Sequence, residues 1–453
     1  MNKGQLLTLK MTDLNNLGCG VGRDEAEGKV VFVKGAVTGD VVRASVIKVN
    51  KSYAVAKLCE VIEASPHRSD ALFCDVPLAC GGCMYRAITY EHELSLKADY
   101  VKNAFVKAGL REVCVLPTLS TGVIEGYRNK AQYPVASTKS GIRAGFYSGG
   151  THSIVPAEHC AIQQKAFAPI VEFICRYATE KGLSAYDEIT GKGLLRHIYL
   201  RIGEATGEIM LCLVLNGETL PDSEDFVREL TENFPSVTSI LLNTNKENTN
   251  VVLGKKWKTL FGNDEIEDIL CGLRFRISAD SFYQVNRRGV ELLYGKAAEL
   301  ADLSGEEILV DLYCGTGTIG LSMAKKAKKL VGVEIVEGAV KCARENAERN
   351  GVKNAEFFCG DASSRDMILK CTGGKTPDVV VIDPPRKGST RELVECLSSL
   401  DVRKIVYVSC NPDTLARDCA WFAEEGYAIG TVQPVDLFPR TGHVESVVCL
   451  TRK

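Results

Sequence analysis

A cysteine near the C-terminal end of the chain has the setting of a nucleophile. Cys410 lies in Ser-Cys-Asn-Pro, residues 409–412, directly after an apolar stretch that predicts a strand. A thiol at the end of a strand can project into a ligand cleft, and its thiolate is a soft, strong nucleophile. The competing interpretation is a small buried apolar cysteine, which is the ordinary role of an unpaired one. The position at a strand end favours the nucleophile.

A carboxylate close to the C-terminus could serve the same chemistry as a general base. Glu445 begins the last predicted strand, in Gly-His-Val-Glu at residues 442–445. A positioned carboxylate can remove a proton from a reacting group. Taken alone, Glu445 would be a solvated surface carboxylate, and its distance from Cys410 does not follow from the sequence.

Acidic residues follow three successive predicted strands. Asp311 ends the first, before a glycine-rich turn at residues 315–320, Glu334 ends the second, and Asp361 follows the third. The glycines let the backbone approach a ligand closely, and a carboxylate at the second strand end can bind both hydroxyls of a ribose. Three acids suit a cationic sulfonium cofactor with a ribose and an adenine, and do not suit a pyrophosphate. The alternative is a generic nucleotide fold with solvated acids.

The segment Asp-Pro-Pro-Arg, residues 383–386, follows the fourth predicted strand. Its two prolines make a rigid loop, because each fixes its own φ angle. The loop places Asp383 at the sheet edge where doubly wound folds bind ligands. The alternative is a plain edge turn.

A group of cysteines has the composition of a metal site. Cys74, Cys80 and Cys83 lie close together, and Cys160 is the candidate fourth ligand. Four thiolates can hold either a tetrahedral zinc ion or a [4Fe–4S] cluster, and the spacing leaves both open. The spacing is not the three-then-two pattern of radical enzymes, which argues against radical methylation. Two further cysteines lie nearby in the sequence, Cys59 and Cys114.

Residues 126–157 combine cations with aromatic rings and contain no Asp or Glu. The cations that we single out are Arg128, Lys130 and Arg143. Cations for phosphates and aromatic faces for stacking are what single-stranded RNA requires of a protein. The alternative is a sheet with a solvated basic face.

Three regions must position these groups. Residues 1–62 contain short strands with glycine turns, which predict a small barrel. Residues 63–285 mix helical and strand periodicities and predict an α+β domain. Residues 286–453 alternate strand and helix, which predicts an α/β fold with a parallel, doubly wound sheet. The length of 453 residues is consistent with about three domains.

Composition limits the functional classes. The net charge is −2, so a nucleic-acid contact must come from a local patch. The 18 cysteines are about 4% of the chain, which is below the cysteine content of a disulfide scaffold. We expect a cytoplasmic protein without a membrane span, because the N-terminus has no apolar signal core and no apolar run reaches ~20 residues.

The motifs together resemble a known family. The most specific are Asp-Ser-Phe-Tyr-Gln-Val-Asn at 280–286, the turn at 311–317, and the segments at 383–386, 409–412 and 442–445. In these motifs the chain resembles the bacterial RNA uracil-C5 methyltransferases. It is most similar to the branch that modifies 23S ribosomal RNA, which has an N-terminal TRAM barrel, OB-like in form, and a [4Fe–4S] cluster.

The resemblance implies a role for most of the residues above. Cys410 takes the place of the nucleophile that attacks C6 of uracil, and Glu445 takes the place of the base. Contacts to S-adenosylmethionine are implied for Gln284, Tyr313, Glu334 and Asp383. A [4Fe–4S] cluster, rather than zinc, is implied for Cys74, Cys80, Cys83 and Cys160. The implied partner is 23S rRNA, free or in an assembly intermediate, and not DNA.

Two other functions compete with this one. A tRNA methyltransferase acting on the T-loop uridine is the nearest alternative, although the bacterial tRNA branch generally lacks the barrel and the cluster. A non-catalytic RNA-binding iron–sulfur protein is the second. The presence of Cys410, Glu445 and Asp383 argues against it, because an inactive protein could lose them.

Overall fold

The computed structural model describes residues 1–69, 74, 76, 79–157 and 159–453. The first region contains strands β1 (Leu6–Leu14), β2 (Cys19–Arg23), β3 (Val30–Lys34), β4 (Val41–Val49) and β5 (Tyr53–Glu63). They close into a barrel in the order β1-β2-β3-β5-β4. Alternate residues along β1 and β4 are buried, so each strand places one apolar face inside. The predicted N-terminal barrel is confirmed.

The second region is built around a mixed sheet. Its elements are α1 (Tyr90–Lys107), β6 (Lys130–Thr138), β7 (Gly141–Tyr147), β8 (Ile154–Pro156), α2 (Phe167–Glu180), β9 (Leu195–Ile202), β10 (Ile209–Leu215), α3 (Ser223–Asn233), β11 (Val237–Thr244), β12 (Lys256–Gly262), β13 (Glu265–Leu270) and β14 (Leu273–Ser278). Seven strands form the order β12-β11-β10-β9-β6-β7-β8, and β13 and β14 form a separate hairpin. Every residue of β9 and β10 is buried, because α2 and α3 cover one face of the sheet and the hairpin covers the other.

The third region is an α/β layer structure. Its elements are α4 (Arg287–Ala301), β15 (Ile308–Leu312), α5 (Thr318–Met323), β16 (Lys329–Glu334), α6 (Glu337–Arg349), β17 (Ala355–Cys359), α7 (Arg365–Cys371), β18 (Val379–Ile382), α8 (Arg391–Ser399), β19 (Lys404–Ser409), α9 (Pro412–Glu424), β20 (Tyr427–Ile429), β21 (Gln433–Val435) and β22 (Glu445–Arg452). The sheet order is β17-β16-β15-β18-β19-β22-β20, with β21 paired to β22. Strands β15 to β19 are parallel, and β22 is antiparallel. The predicted α/β sheet is confirmed, and its strand order reverses between β15 and β18.

Helix α1 packs in a different place from the one its sequence position suggests. We expected it within the region 63–285, but its buried Val101 and Phe105 belong to the same core as α9 and the C-terminal sheet. The chain that follows it runs along β21, where Leu116 N–H donates to the Val432 carbonyl at 3.0 Å. Helical periodicity shows that one face is apolar, but it does not show which layer covers that face.

No helix within the described ranges is both long and apolar enough to cross a membrane.

Candidate active site

Strand register brings the candidate nucleophile and the candidate base together. Strand β19 ends at Ser409 and β22 begins at Glu445, and the antiparallel pairing sets Ser409 opposite Ser446. Cys410 follows the first of these serines and Glu445 precedes the second, so both side chains lie at one edge of the sheet. Glu445 is 5% exposed and Cys410 is half-buried. The sequence did not show how close Cys410 and Glu445 are, and the pairing of β19 with β22 brings them together.

The surroundings of this pair favour the protonated forms. Burial and the charge of Asp383 raise the pKa of Glu445 to about 8, and the Arg386 guanidinium opposes the shift. Burial, with Glu445 and Asp383, raises the pKa of the Cys410 thiol to about 11, again against Arg386. A carboxyl group that titrates near neutral pH can exchange a proton with a substrate. The thiol is protonated at neutral pH.

The loop that follows β18 is fastened to the start of α9. The Asn411 side chain donates to the Arg386 carbonyl at 3.0 Å, which ties the loop to the residue after Cys410. The buried Asp418 carboxylate accepts a bond from Ser389 N–H at 2.7 Å. Gly388 has φ +79°, and a Cβ there would lie 2.6 Å from an Asp418 oxygen, so this position requires glycine. The loop holds Asp383 against the sheet, and burial raises its pKa to about 7.

The glycine-rich turn after β15 is organised by two carboxylates. The Glu334 carboxylate accepts bonds from Gly315 N–H at 3.2 Å and Val336 N–H at 2.9 Å. Asp311 accepts a bond from Gly320 N–H at 2.8 Å, and a Cβ on Gly320 would lie 2.7 Å from the same oxygen. The second oxygen of Asp311 is buried and has no hydrogen-bond partner among the residues described. That oxygen and the Glu334 carboxylate line a cradle suited to cationic and hydroxyl groups.

Three further residues were predicted to contact the cofactor. Tyr313 is half-buried and adopts φ 62°. This left-handed conformation is costly for a tyrosine and typical of functional loops. Asp361 accepts bonds from the backbone and the hydroxyl of Ser363 at 2.9 and 2.6 Å, which hold the pKa of its carboxyl low. The Gln284 carbonyl accepts a bond from the Asn129 side chain at 2.9 Å, which ties this segment to the central sheet.

Two exposed apolar residues near these groups were missed by sequence reasoning. Phe282 is 76% exposed and lies two positions before Gln284, and Ile335 is 71% exposed directly after Glu334. Large apolar side chains at this exposure beside a cleft are candidates for contact with rings of a ligand. Phe282 could have been identified from the sequence, because it lies inside the motif at residues 280–286.

The segment that leads into Glu445 is held by buried charges. Lys97 of α1 donates to Glu93 at 2.8 Å and to Asp436 at 2.7 Å. The Arg440 backbone N–H donates to the same Glu93 carboxylate at 2.7 Å. The path of residues 436–444 therefore depends on α1.

The predicted basic patch is divided in the structure. Arg128 and Lys130 are near one another, and burial together with Arg201 and Arg128 lowers the pKa of Lys130 to about 8. The influence of Arg128 also reaches His443, whose pKa it helps to lower, so Arg128 is near the segment before Glu445. Arg143 pairs with Ala136, six residues along β6 from Lys130, and lines a cleft beside α2. The three cations do not form one patch.

The four candidate cluster cysteines are neighbours. Burial, with the charges of Cys160, Cys80 and Cys74, raises the pKa of the Cys83 thiol to about 12. The turn between them is docked on β7, where Gly81 N–H donates to the Tyr147 carbonyl at 3.1 Å. No group of three or more His, Cys, Asp or Glu side chains in the described part of the chain is arranged to hold a metal ion.

The fold and the site define an S-adenosylmethionine-dependent methyltransferase, and comparisons with known proteins name its family. Residues 226–453 match the family described as tRNA (Uracil-5-)-methyltransferase, and residues 2–59 match the TRAM domain. An uncharacterized RNA methyltransferase of Clostridium tetani is 41% identical over 453 residues, which is 100% of this chain and 97% of that protein. One of Bacillus cereus is 41% identical over 454 residues, covering 100% and 98%. The chain therefore belongs to the RNA uracil-C5 methyltransferases, with a TRAM domain at its N-terminal end.

A solved structure resembles almost the whole chain. It is the tRNA (uracil-54, C5)-methyltransferase of Pyrococcus abyssi in complex with S-adenosyl-L-homocysteine, with a TM-score of 0.79 and 28% identity. The likeness covers 98% of this chain and 100% of that one. A tRNA enzyme can therefore share the full architecture, so architecture alone does not separate rRNA from tRNA as a substrate.

Proposed function

We propose that this protein methylates C5 of uridine in 23S rRNA in the cytoplasm, through a covalent bond between Cys410 and the uracil ring. The observation that carries the covalent mechanism is the pairing of Ser409 with Ser446, which sets a thiol and a buried carboxyl side by side at the carboxyl end of the parallel strands. The choice of 23S rRNA rests on the resemblance of the sequence motifs to the rRNA branch. A nucleophile and a base in contact with one ring are what this reaction needs.

The reaction follows from the properties of uracil, whose C5 is a poor nucleophile. The Cys410 thiol gives its proton to water, and the thiolate sulfur forms a bond to C6 while the electrons of the C5–C6 double bond move into an enolate with density at C5. C5 would then bond to the methyl carbon as the bond from that carbon to the sulfonium sulfur breaks and S-adenosylhomocysteine leaves. Glu445 removes the remaining C5 proton, and the bond between sulfur and C6 breaks to restore the ring. Positioning of the two partners supplies much of the rate.

S-adenosylmethionine supplies the methyl group on a positively charged sulfur. In this proposal Glu334 binds the ribose hydroxyls, Asp361 the adenine end, and Asp383 lies near the sulfonium. Tyr313 and Gln284 complete the contacts. The unpartnered buried oxygen of Asp311 supports this assignment, because such an atom needs a donor from a ligand.

The target uridine has to leave the RNA stack to reach Cys410. Phe282, 76% exposed beside Gln284, offers a face on which the flipped uracil can stack. Arg128 and Lys130 are assigned to phosphates near the entrance. Arg143 would contact RNA at a separate point, beside α2.

For the cysteine group we propose a [4Fe–4S] cluster held by Cys74, Cys80, Cys83 and Cys160. Four cysteines from two segments, close enough for their charges to act on one another, supply the number and type of ligands that such a cluster takes. The cluster would supply a structural link between the cysteine turn and the central sheet. Methyl transfer needs no electron from it.

A tRNA substrate is the second candidate, because the Pyrococcus abyssi tRNA enzyme matches this chain over 98% of its length. The test compares 5-methyluridine in 23S rRNA and in tRNA from cells with and without the protein, by nuclease digestion and mass spectrometry. Loss from 23S rRNA alone is the expected result. Loss of 5-methyluridine from tRNA alone would identify tRNA as the substrate. No loss of 5-methyluridine from either RNA would overturn the proposed function.

A further inference from the structure

The turn between the first two barrel strands is rigid and exposes a leucine at its tip. Asn15 N–H donates to the Cys19 carbonyl at 3.0 Å, and the Asn15 side chain accepts bonds from Leu17 and Cys19 N–H at 3.1 and 2.9 Å. Gly18, at φ +72°, closes the turn by donating to the Asn15 carbonyl at 3.0 Å. Leu17 is 66% exposed. A turn held by four hydrogen bonds fixes its side chain in place instead of letting it fold onto the barrel.

This turn lies against the segment that leads into Glu445. A Cβ on Gly442 would come 1.9 Å from the Asn16 carbonyl oxygen, so the two backbones are in direct contact and position 442 requires glycine. On the other side, a Cβ on Gly18 would lie 2.6 Å from the Met84 carbonyl. The tip of the turn is thus held between the cysteine segment and the segment that carries the candidate base.

A second contact joins the same turn to the nucleophile. The Tyr100 hydroxyl donates to the Asp413 carboxylate at 2.8 Å, and the Asn16 side chain also hydrogen-bonds that hydroxyl. Asp413 is three residues beyond Cys410, in the first turn of α9. The turn is therefore fixed to both segments from which the thiol and the carboxyl extend.

We propose that Leu17 is a wedge that enters the RNA stack at the position vacated by the flipped uridine. An exposed apolar side chain on a rigid turn, in contact with the segment that leads to the candidate base, has the chemistry of a residue that intercalates between bases. Filling the gap offsets part of the free energy that unstacking costs. The inference rests on the proposed function and adds a specificity determinant from the barrel. Methylation of an RNA in which the uridine is stacked requires Leu17. Methylation of an RNA in which the uridine is already unstacked does not.

The test compares two substrates for each variant. One is a folded transcript of the rRNA domain that contains the uridine mapped in cells, and the other is a short single-stranded oligonucleotide with the same uridine. We expect Leu17→Ala to lower kcat/KM on the folded transcript about tenfold and to change it less than twofold on the oligonucleotide. Leu17→Met should restore most of the activity on the transcript, because it keeps an apolar side chain of similar volume.

Leu6→Ala is the matched control. Leu6 is 61% exposed and begins β1, and the turn that carries Leu17 follows the other end of that strand. The control variant therefore removes a similarly exposed leucine from the far end of β1. An equal loss for Leu17→Ala on both RNAs, or no loss on either, would overturn the wedge while the proposed function stands. A wild-type protein that methylates neither RNA would overturn both.

Discussion

Cys410 and Glu445 share one acidic environment that includes Asp383. Their pKa values are raised to about 11 and about 8, and the Arg386 charge opposes the shift in both cases. A positive charge brought into the site favours the ionised forms and lowers both pKa values. In the proposed mechanism the sulfonium of the methyl donor is such a charge.

The first prediction concerns the nucleophile. Cys410→Ala removes the only sulfur placed to attack the ring in this mechanism, so methyl transfer to RNA should fall by at least about a thousandfold. S-adenosylmethionine binding, measured by calorimetry, should change little. The control is Cys449→Ala, which alters the same strand pair at the position opposite Val406. Turnover near that of the wild type in Cys410→Ala would refute the covalent mechanism.

The second prediction concerns the base. Glu445→Gln keeps the shape of the side chain but cannot accept the C5 proton, so the methylated adduct cannot break down. A protein–RNA band that survives denaturing electrophoresis should accumulate. The same band should be absent in the double variant Cys410→Ala/Glu445→Gln. If Glu445→Gln forms no adduct yet loses activity, another group is the base.

The third prediction uses the pKa of Asp383, which burial raises to about 7. Below pH 6 this carboxyl is mostly protonated, and above pH 8 it is mostly ionised and attracts a cation. The affinity for S-adenosylmethionine, relative to S-adenosylhomocysteine, whose sulfur carries no charge, should therefore rise between pH 6 and 8. Asp383→Asn should flatten that rise, although Asp311, with a pKa of about 7, contributes to it. A ratio independent of pH in the wild type would contradict this assignment.

Helix α1 and the segment before Glu445 act as one unit. Lys97 is 1% exposed and forms ion pairs with Glu93 and Asp436, whose side chains are fully buried, and Arg440 also pairs with Glu93. Removing one partner of a buried ionic group leaves charge without compensation. The helix thus fixes the path of the chain that leads to Glu445, the proposed base.

The fourth prediction follows from that network. Lys97→Met should lower the free energy of unfolding by about 3–5 kcal/mol, as measured by urea denaturation. Lys102→Met, on the exposed face of the same helix, should change it by less than about 0.5 kcal/mol. Similar values for the two variants would mean that the buried charges do not stabilise the fold.

The fifth prediction concerns the cysteine group, which links distant parts of the molecule. Protein purified without oxygen should be brown and contain about four iron atoms per chain. Cys83→Ser should lose the iron, and Cys59→Ser should keep it, because Cys59 is an exposed barrel residue outside the group. Colourless protein that contains zinc would refute the cluster.

The charge of the molecule is distributed by region. The net charge of −2 conceals acids gathered at the carboxyl ends of the parallel strands, including Asp311, Glu334 and Asp383, and cations such as Arg128 near the segment before Glu445. In the proposed function the acids suit a cationic cofactor and the cations suit an anionic RNA.

The amino-acid sequence by itself determined the layer structure of this protein. The periods of apolar residues predicted the barrel and the parallel sheet, and the motifs at strand ends identified Asp383, Cys410 and Glu445 as candidates. These features are local, because glycine, proline and apolar spacing act through the nearest backbone. They were sufficient to recognise the family.

Only the tertiary structure decided how these parts meet. The register of β19 with β22 sets Cys410 beside Glu445, and the fold separates Arg143 from Arg128 despite their closeness in sequence. It also places α1 on the C-terminal sheet. The barrel turn that carries Leu17 lies against Gly442, three residues before the candidate base. The physical reason is that pairing and burial join residues hundreds of positions apart, and apolar periodicity shows that a face is covered without showing what covers it.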